Sequence, residues 1–331
     1  MLSGILAFRP ASVVERLDPR SAACPLSTRE LLAPAAELGL VLPVVLAPVE
    51  AVARGALVAA KELKSVLGLA LPPGAAAEPW FDGAARAADE VAAGSPIFLC
   101  GEVVVAGEDA MHVERAFHEA WRLVGAGITH LAIDVAAVAP GERGRVIAEV
   151  AEAGVENGIC VDVVVSLAEG SQARTRTAAL FEELARRRAP ADLASVRCPR
   201  PATQDEARLQ AAALARMCEA LSGTPVMRRG PVTAGILELL RDSPVKLCDD
   251  GGDASARAVD VIPGPPAPPP EEEPRTRGSG LERAASELSP DAVARIEARA
   301  YVDALDFMER LGARGSAPAV SRSLERRLER G

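Results

Sequence analysis

Cys100, Glu102, Asp134, Arg197, Cys198, Arg229 and Cys248 each stand at or near the end of a short apolar run, where a side chain can meet a ligand. Glu102 could act as a general base if its surroundings raised its pKa; its other reading is an ion pair with Arg197 or Arg229. Asp134 could orient a ligand hydroxyl or accept hydrogen bonds from loop amides. Cys100, Cys198 and Cys248 could converge on zinc, an ion that thiolates suit, or serve as small buried residues. No fourth ligand is evident, so neither a metal nor a cofactor is expected. Lys246 invites Schiff-base chemistry if desolvated and an ordinary ion pair otherwise. Arg228, Arg229 and the turn opening at Gly230 suit an anion, with the tight Gly251-Gly252 turn close by in sequence. Asp249, Asp250 and Asp253 oppose that anion by like charge. His112, His118 and His130 fall away from these positions and read as solvent-facing or interface histidines.

Eight short strands must position these groups: Val41–Pro48, Ser65–Leu71, Pro96–Val103, Ile128–Val135, Ile159–Leu167, Ala194–Cys198, Pro225–Arg229 and Val245–Asp249. Helix-like segments separate them. Eight β/α units in one chain predict a TIM (β/α)8 barrel, a fold that takes about 250 residues and works where each strand meets its following loop. The predicted organisation is a barrel over 1–263 with an N-terminal lead-in helix, a Pro/Glu-rich linker over 264–286, and a C-terminal helix with a charged tail over 287–331. Ser27-Thr28-Arg29-Glu30 reads as a capping box for the lead-in helix. Ser289 and Pro290 read as the N-cap and first turn of the last helix. Its apolar residues require it to dock, on its own barrel or on a second copy. The residues after Gly312, rich in Arg and Glu, read as a solvated tail.

The bulk numbers narrow the classes. Of 331 residues, 49% are hydrophobic but only 3% aromatic, so Ala, Val and Leu carry the packing. A net charge of −9 argues against nucleic acid or an anionic membrane as partner. Six cysteines with no Cys-x-x-Cys point to a reducing cytoplasm. The apolar start of the chain is short for a signal peptide, and prolines break the stretch Leu31–Val49 into a helix and a strand rather than a membrane span.

From the third strand onward the chain resembles the class II, metal-dependent fructose/tagatose-bisphosphate aldolases, including the non-catalytic subunit of tagatose-bisphosphate aldolase. The resemblance rests on Gly127-Ile128-Thr129-His130-Leu131-Ala132-Ile133-Asp134, on Val146–Gly158 leading into Cys160-Val161-Asp162, on Ser222-Gly223-Thr224-Pro225-Val226-Met227, and on Val245-Lys246-Leu247-Cys248-Asp249. By order and spacing it spans about two-thirds of the chain. It implies a divalent metal held by histidines at strand ends, to polarise a ketose carbonyl, and a strand-three Asp for proton transfer. The residues at those places differ. Cys100-Gly101-Glu102-Val103 stands for His-x-Asp-His, Val196-Arg197 for Val-His, and Arg228 or Arg229 with Gly230-Pro231-Val232 for His-Gly-Gly-Thr-Gly. The resemblance thus implies a degenerate member without its zinc ligands: a partner subunit or small-ligand binder, alone or as a homo-oligomer. The alternative is a divergent aldehyde-lyase on sugar phosphates, with Glu102 as base and Arg197 and Arg229 as clamps.

Overall fold

The computed structural model describes residues 3–167, 172–189, 191–221, 223–252 and 288–330. The Pro/Glu stretch 264–286, Asp253 and Ser222 lie outside the described residues. Eight parallel strands close into a barrel: β1 Leu42–Leu46, β2 Leu67–Ala70, β3 Pro96–Val104, β4 His130–Asp134, β5 Cys160–Ser166, β6 Leu193–Arg197, β7 Val226–Arg229 and β8 Leu247–Asp249. Each pairs with its sequence neighbours and β8 pairs back to β1, so no edge is left open. A short extension, Cys24–Pro25, pairs with the start of β3. All eight predicted strands are present, with ends shifted by a few residues. They are short, apolar runs because both faces are covered, by the lumen on one side and the helical layer on the other.

Alternation along each strand divides the core into two bodies. One fills the space between barrel and helices, built mostly from Ala, Val and Leu. The other fills the lumen, where Val44, Phe98, Cys100, Cys160, Met227 and Leu247 meet. The lumen core continues through the N-terminal end of the barrel into a plug of three helices, Ser3–Leu6, Thr28–Glu37 and Ser316–Leu328, which contribute Ile5, Leu31, Val320 and Leu324.

That plug corrects the reading of the last residues as a solvated tail. Although Ser316–Leu328 is rich in Arg, its Ala317, Val320 and Leu324 share one face and are buried, while the charged residues lie on the other. Ser27 does precede the helix Thr28–Glu37, but its side chain makes no capping bond and Ser27 Oγ has no partner. The predicted capping box is not formed.

The helix Pro290–Leu311 follows its predicted signals. Ser289 Oγ accepts from the amide of Ala292 at 3.3 Å, Pro290 opens the first turn, and Gly312 closes the end with φ 75°. It docks in cis on the helix Glu50–Leu63. Gly55 permits the contact: a Cβ there would stand 2.3 Å from the carbonyl oxygen of Glu297 and 3.0 Å from Cβ of Ala300. Among the described residues no helix is long and apolar enough to cross a membrane.

Candidate functional site

Strand alternation sends Glu102, Asp134, Asp162, Ser195, Arg197, Arg229 and Asp249 toward the lumen, near the C-terminal ends of β3 to β8. They form a continuous chain of charge. Arg197 holds Asp134 Oδ2 with Nη1 at 2.6 Å and Glu102 Oε1 with Nη2. Glu102 Oε2 accepts from Arg229 Nη1 at 2.5 Å. Arg229 then donates through Nη2 to Asp162 Oδ2 at 3.2 Å and through Nε to Ser195 Oγ at 2.9 Å. The ion-pair reading of Glu102 is therefore the arrangement present, with both arginines at once. Asp134 combines its two readings, since Oδ1 also accepts from the amide of Ala136 at 2.8 Å.

Below this chain lies a fully buried polar group. Ser195 Oγ donates to Asp162 Oδ2 at 2.5 Å, and His130 Nε2 lies 3.0 Å from the same oxygen. His130 Nδ1 is 3.0 Å from Thr28 Oγ1, on the plug helix. Nε2–H can donate to the carboxylate, and the direction of the Nδ1–Thr28 bond follows the protonation of the ring. Burial opposes the charge on Asp162, but the His130 bond, Arg229 and Ser195 outweigh it and hold this carboxyl below its ordinary range. Asp162 Oδ1 is buried without a partner. The reading of His130 as a solvent-facing or interface residue is corrected: it is fully buried inside the barrel. His112 and His118 lie on the outer helix Ala110–Gly125, where they pair with Asp109 and Glu114.

The same alternation separates the two adjacent arginines. Arg228 points outward and is completely buried beneath the helix Gln204–Ala220. Its guanidinium donates to Gln210 Oε1 at 3.0 Å and to the carbonyls of Gly230 and Pro231 at 2.5 and 2.6 Å. Its assignment as an anion ligand is corrected: it staples a loop to a helix. Lys246 precedes β8, half-buried, and its charge acts on the Cys218 thiol of the outer helix, so it does not belong to the lumen.

The glycine turns meet each other. Gly230 has φ 113°, and a Cβ on it would lie 2.3 Å from the carbonyl oxygen of Cys198. Gly251, at φ 64°, would strike the backbone of Gly230 and Pro231. The amide of Gly251 donates to Asp249 Oδ1, the amide of Gly230 acts on the same carboxylate, and Gly252 N donates to Asp250 Oδ1 at 3.0 Å. Asp249 sits partly buried at the rim. Burial lifts its carboxyl above the ordinary range, against the pull of Arg229 and the two amides.

The three thiols do not converge. Cys100 belongs to the lumen, whereas Cys198 and Cys248 pack in the outer layer near Arg228. Burial pushes Cys198 up to about 11 and Cys248 up to about 12, and raises Cys100 further still, which disfavours the thiolates a metal needs. Among the described residues no group of three His, Cys, Asp or Glu side chains is arranged to hold a metal ion. Among the described residues, the donor set of this mouth does not fit the divalent metal implied by the aldolase resemblance.

Above the ion pairs opens a cavity of about 430 Å³ at the C-terminal end of the barrel. Leu46, Ala70, Leu71 and Met227 form an apolar wall, facing Glu102, Arg197, Arg229 and Asp249. No family model matches this sequence, and neither does any curated protein. Solved structures do match. The YdjI aldolase of Escherichia coli K12 superposes with a TM-score of 0.62 at 13% identity, over 88% of this chain and 99% of that one. A Coccidioides immitis protein assigned as a fructose-1,6-biphosphate aldolase superposes with a TM-score of 0.58 at 15% identity, over 93% and 99% of the two chains. The fold is aldolase-like. At these identities the likeness is one of backbone, and the chemistry rests on the side chains of this chain.

Asp162, Ser195 and His130 are the site residues that sequence reasoning missed. A signal for Asp162 was present: it is the lone charged residue in the run Cys160–Ser166, at the lumen-facing parity. Ser195 and His130 carry no comparable mark.

Proposed function

We propose that this chain is an aldolase-like barrel that works without a divalent metal, as a cytoplasmic partner subunit or small-ligand binder rather than as an aldolase. The observation that carries the reading is the ion-pair chain Asp134–Arg197–Glu102–Arg229–Asp162 across the barrel mouth. Guanidinium groups stand where the aldolase resemblance puts metal-binding imidazoles, and each is balanced by carboxylates of the chain itself. Glu102, Asp134 and Asp162, the carboxylates a dication would need as ligands there, are already held by guanidiniums. The cavity above remains concave, largely apolar and furnished with a few polar groups, which is the form of a small-molecule site.

The lyase alternative asks Glu102 to take a proton from a substrate, yet both of its oxygens are engaged by guanidiniums. Elemental mass spectrometry of protein purified without chelator tests the proposal. We expect no stoichiometric metal and no metal-dependent aldol cleavage. About one zinc per chain, or cleavage activity that Glu102→Gln abolishes while the fold persists, would overturn it.

A further inference from the structure

We infer that the mouth cavity takes a small unphosphorylated organic amine, whose ammonium group is received at Asp249, in the cavity that Glu102 also lines, while its apolar body rests on Leu46, Ala70, Leu71 and Met227. The inference rests on the ligand-binding reading above and adds the chemical class of ligand.

Barrels of this kind usually bind phosphate with the loops after the seventh and eighth strands, through backbone amides at tight turns. Here those amides are taken. Gly251 donates to Asp249, Gly252 donates to Asp250, and the Gly230 amide acts on the Asp249 carboxylate. The carboxylate of Asp249 stands where a phosphate oxygen would otherwise be held, and a phosphate would have to displace it and then lie against it.

The charge balance points the same way. Over the whole cluster Glu102, Asp134, Asp162 and Asp249 stand against Arg197 and Arg229; Glu102 and Asp249 line the cavity, Asp134 and Asp162 are buried beneath it, and Glu119 at its wall is paired with Arg122. Arg228 acts on Asp249 only through the barrel wall, its own guanidinium spent on Gln210 and two carbonyls. Arg197 is bound by Glu102 and Asp134, and Arg229 by Glu102 and Asp162. Among the described residues no cation pairs with Asp249 within salt-bridge distance, and burial lifts its carboxyl against the longer-range pull of Arg229. An ammonium group supplies that cation. A phosphate ester would add negative charge to a site that already has an excess.

The test uses the full chain and three probes of equal carbon length: n-butylammonium, 1-butanol and n-butyl phosphate. Binding is followed by calorimetry and by the shift in melting temperature. We expect n-butylammonium to bind best, Asp249→Asn to weaken it at least tenfold, and Glu114→Gln, on an exposed outer helix, to leave it unchanged. Circular dichroism of Asp249→Asn separates lost binding from lost fold. Butanol binding as well as the amine, preferential binding of the phosphate, or an Asp249→Asn variant that binds like wild type would each overturn the inference while leaving a ligand-binding barrel. Failure of all three probes to bind would overturn both readings.

Discussion

Arg229 on β7 reaches across the lumen to Glu102 on β3, Nη1 to Oε2 at 2.5 Å, while its Nη2 holds Asp162 on β5 at 3.2 Å. One guanidinium thus ties three strands together. It also links the ligand-facing rim to a polar group that has no access to solvent, so the electrostatics of the mouth are set from below as well as from the surface.

Removing that tie leaves two carboxylates without their shared cation. Arg229→Met is expected to destabilise the fold by about 3–5 kcal/mol, as breaking a buried ion pair does. Arg197→Met, at a side chain nearly half exposed, is expected to cost about 1 kcal/mol or less. Urea unfolding of the two variants checks the contrast, and equal losses would contradict the assigned burial.

The depressed carboxyl of Asp162 has a defined pH signature. Its contribution to stability is fully present above the unfolded-state value of about 4. It is lost as pH falls through the lower folded-state value. Wild type should therefore lose stability more steeply than Asp162→Asn in the acid range, measured as melting temperature from neutral pH downward.

Asp249 carries the opposite sign. A carboxyl raised in the folded state binds protons more readily there than in the unfolded chain, so it penalises the fold increasingly as pH rises from about 4 through the raised value. The melting temperature of Asp249→Asn relative to wild type should become more favourable from pH 4 to pH 8. A difference that does not vary with pH would contradict this.

The thiols should be inert in the native state. All six cysteines are free, and burial raises Cys24 and Cys248 to about 12 and Cys198 to about 11. Iodoacetamide at pH 8, read by mass, should modify them slowly until urea is added, with the half-buried Cys218 first to react.

Gly55 is expected to accept no side chain. The clash there is with backbone, the Glu297 carbonyl, and cannot be relieved by a rotamer change. Gly55→Val should push the helix Pro290–Leu311 off the helix Glu50–Leu63, at a cost of about 1–3 kcal/mol or more. Increased proteolysis within residues 290–328 would report the undocking.

The sequence by itself determined the eight-strand count and the stop and start signals of the elements, because these rest on local properties. Short β-branched apolar runs make strands that are covered on both faces, and Ser289, Pro290 and Gly312 supply cap geometry from their own side chains and backbone. It also placed Glu102, Asp134, Arg197 and Arg229 near one end of the barrel. Only the tertiary structure decided which side of the wall each residue faces. A one-residue difference in register sends Arg229 to the lumen and Arg228 to the helices, and it divides Cys100 from Cys198 and Cys248. His130 and Ser195 gained their roles in the same way, because they and Asp162, the partner they share, lie on three different strands. Ser316–Leu328 shows the limit most plainly. Its charged face is what composition registers, but three apolar residues at helical spacing decided where it sits, once the open bottom of the barrel offered them a place to be buried.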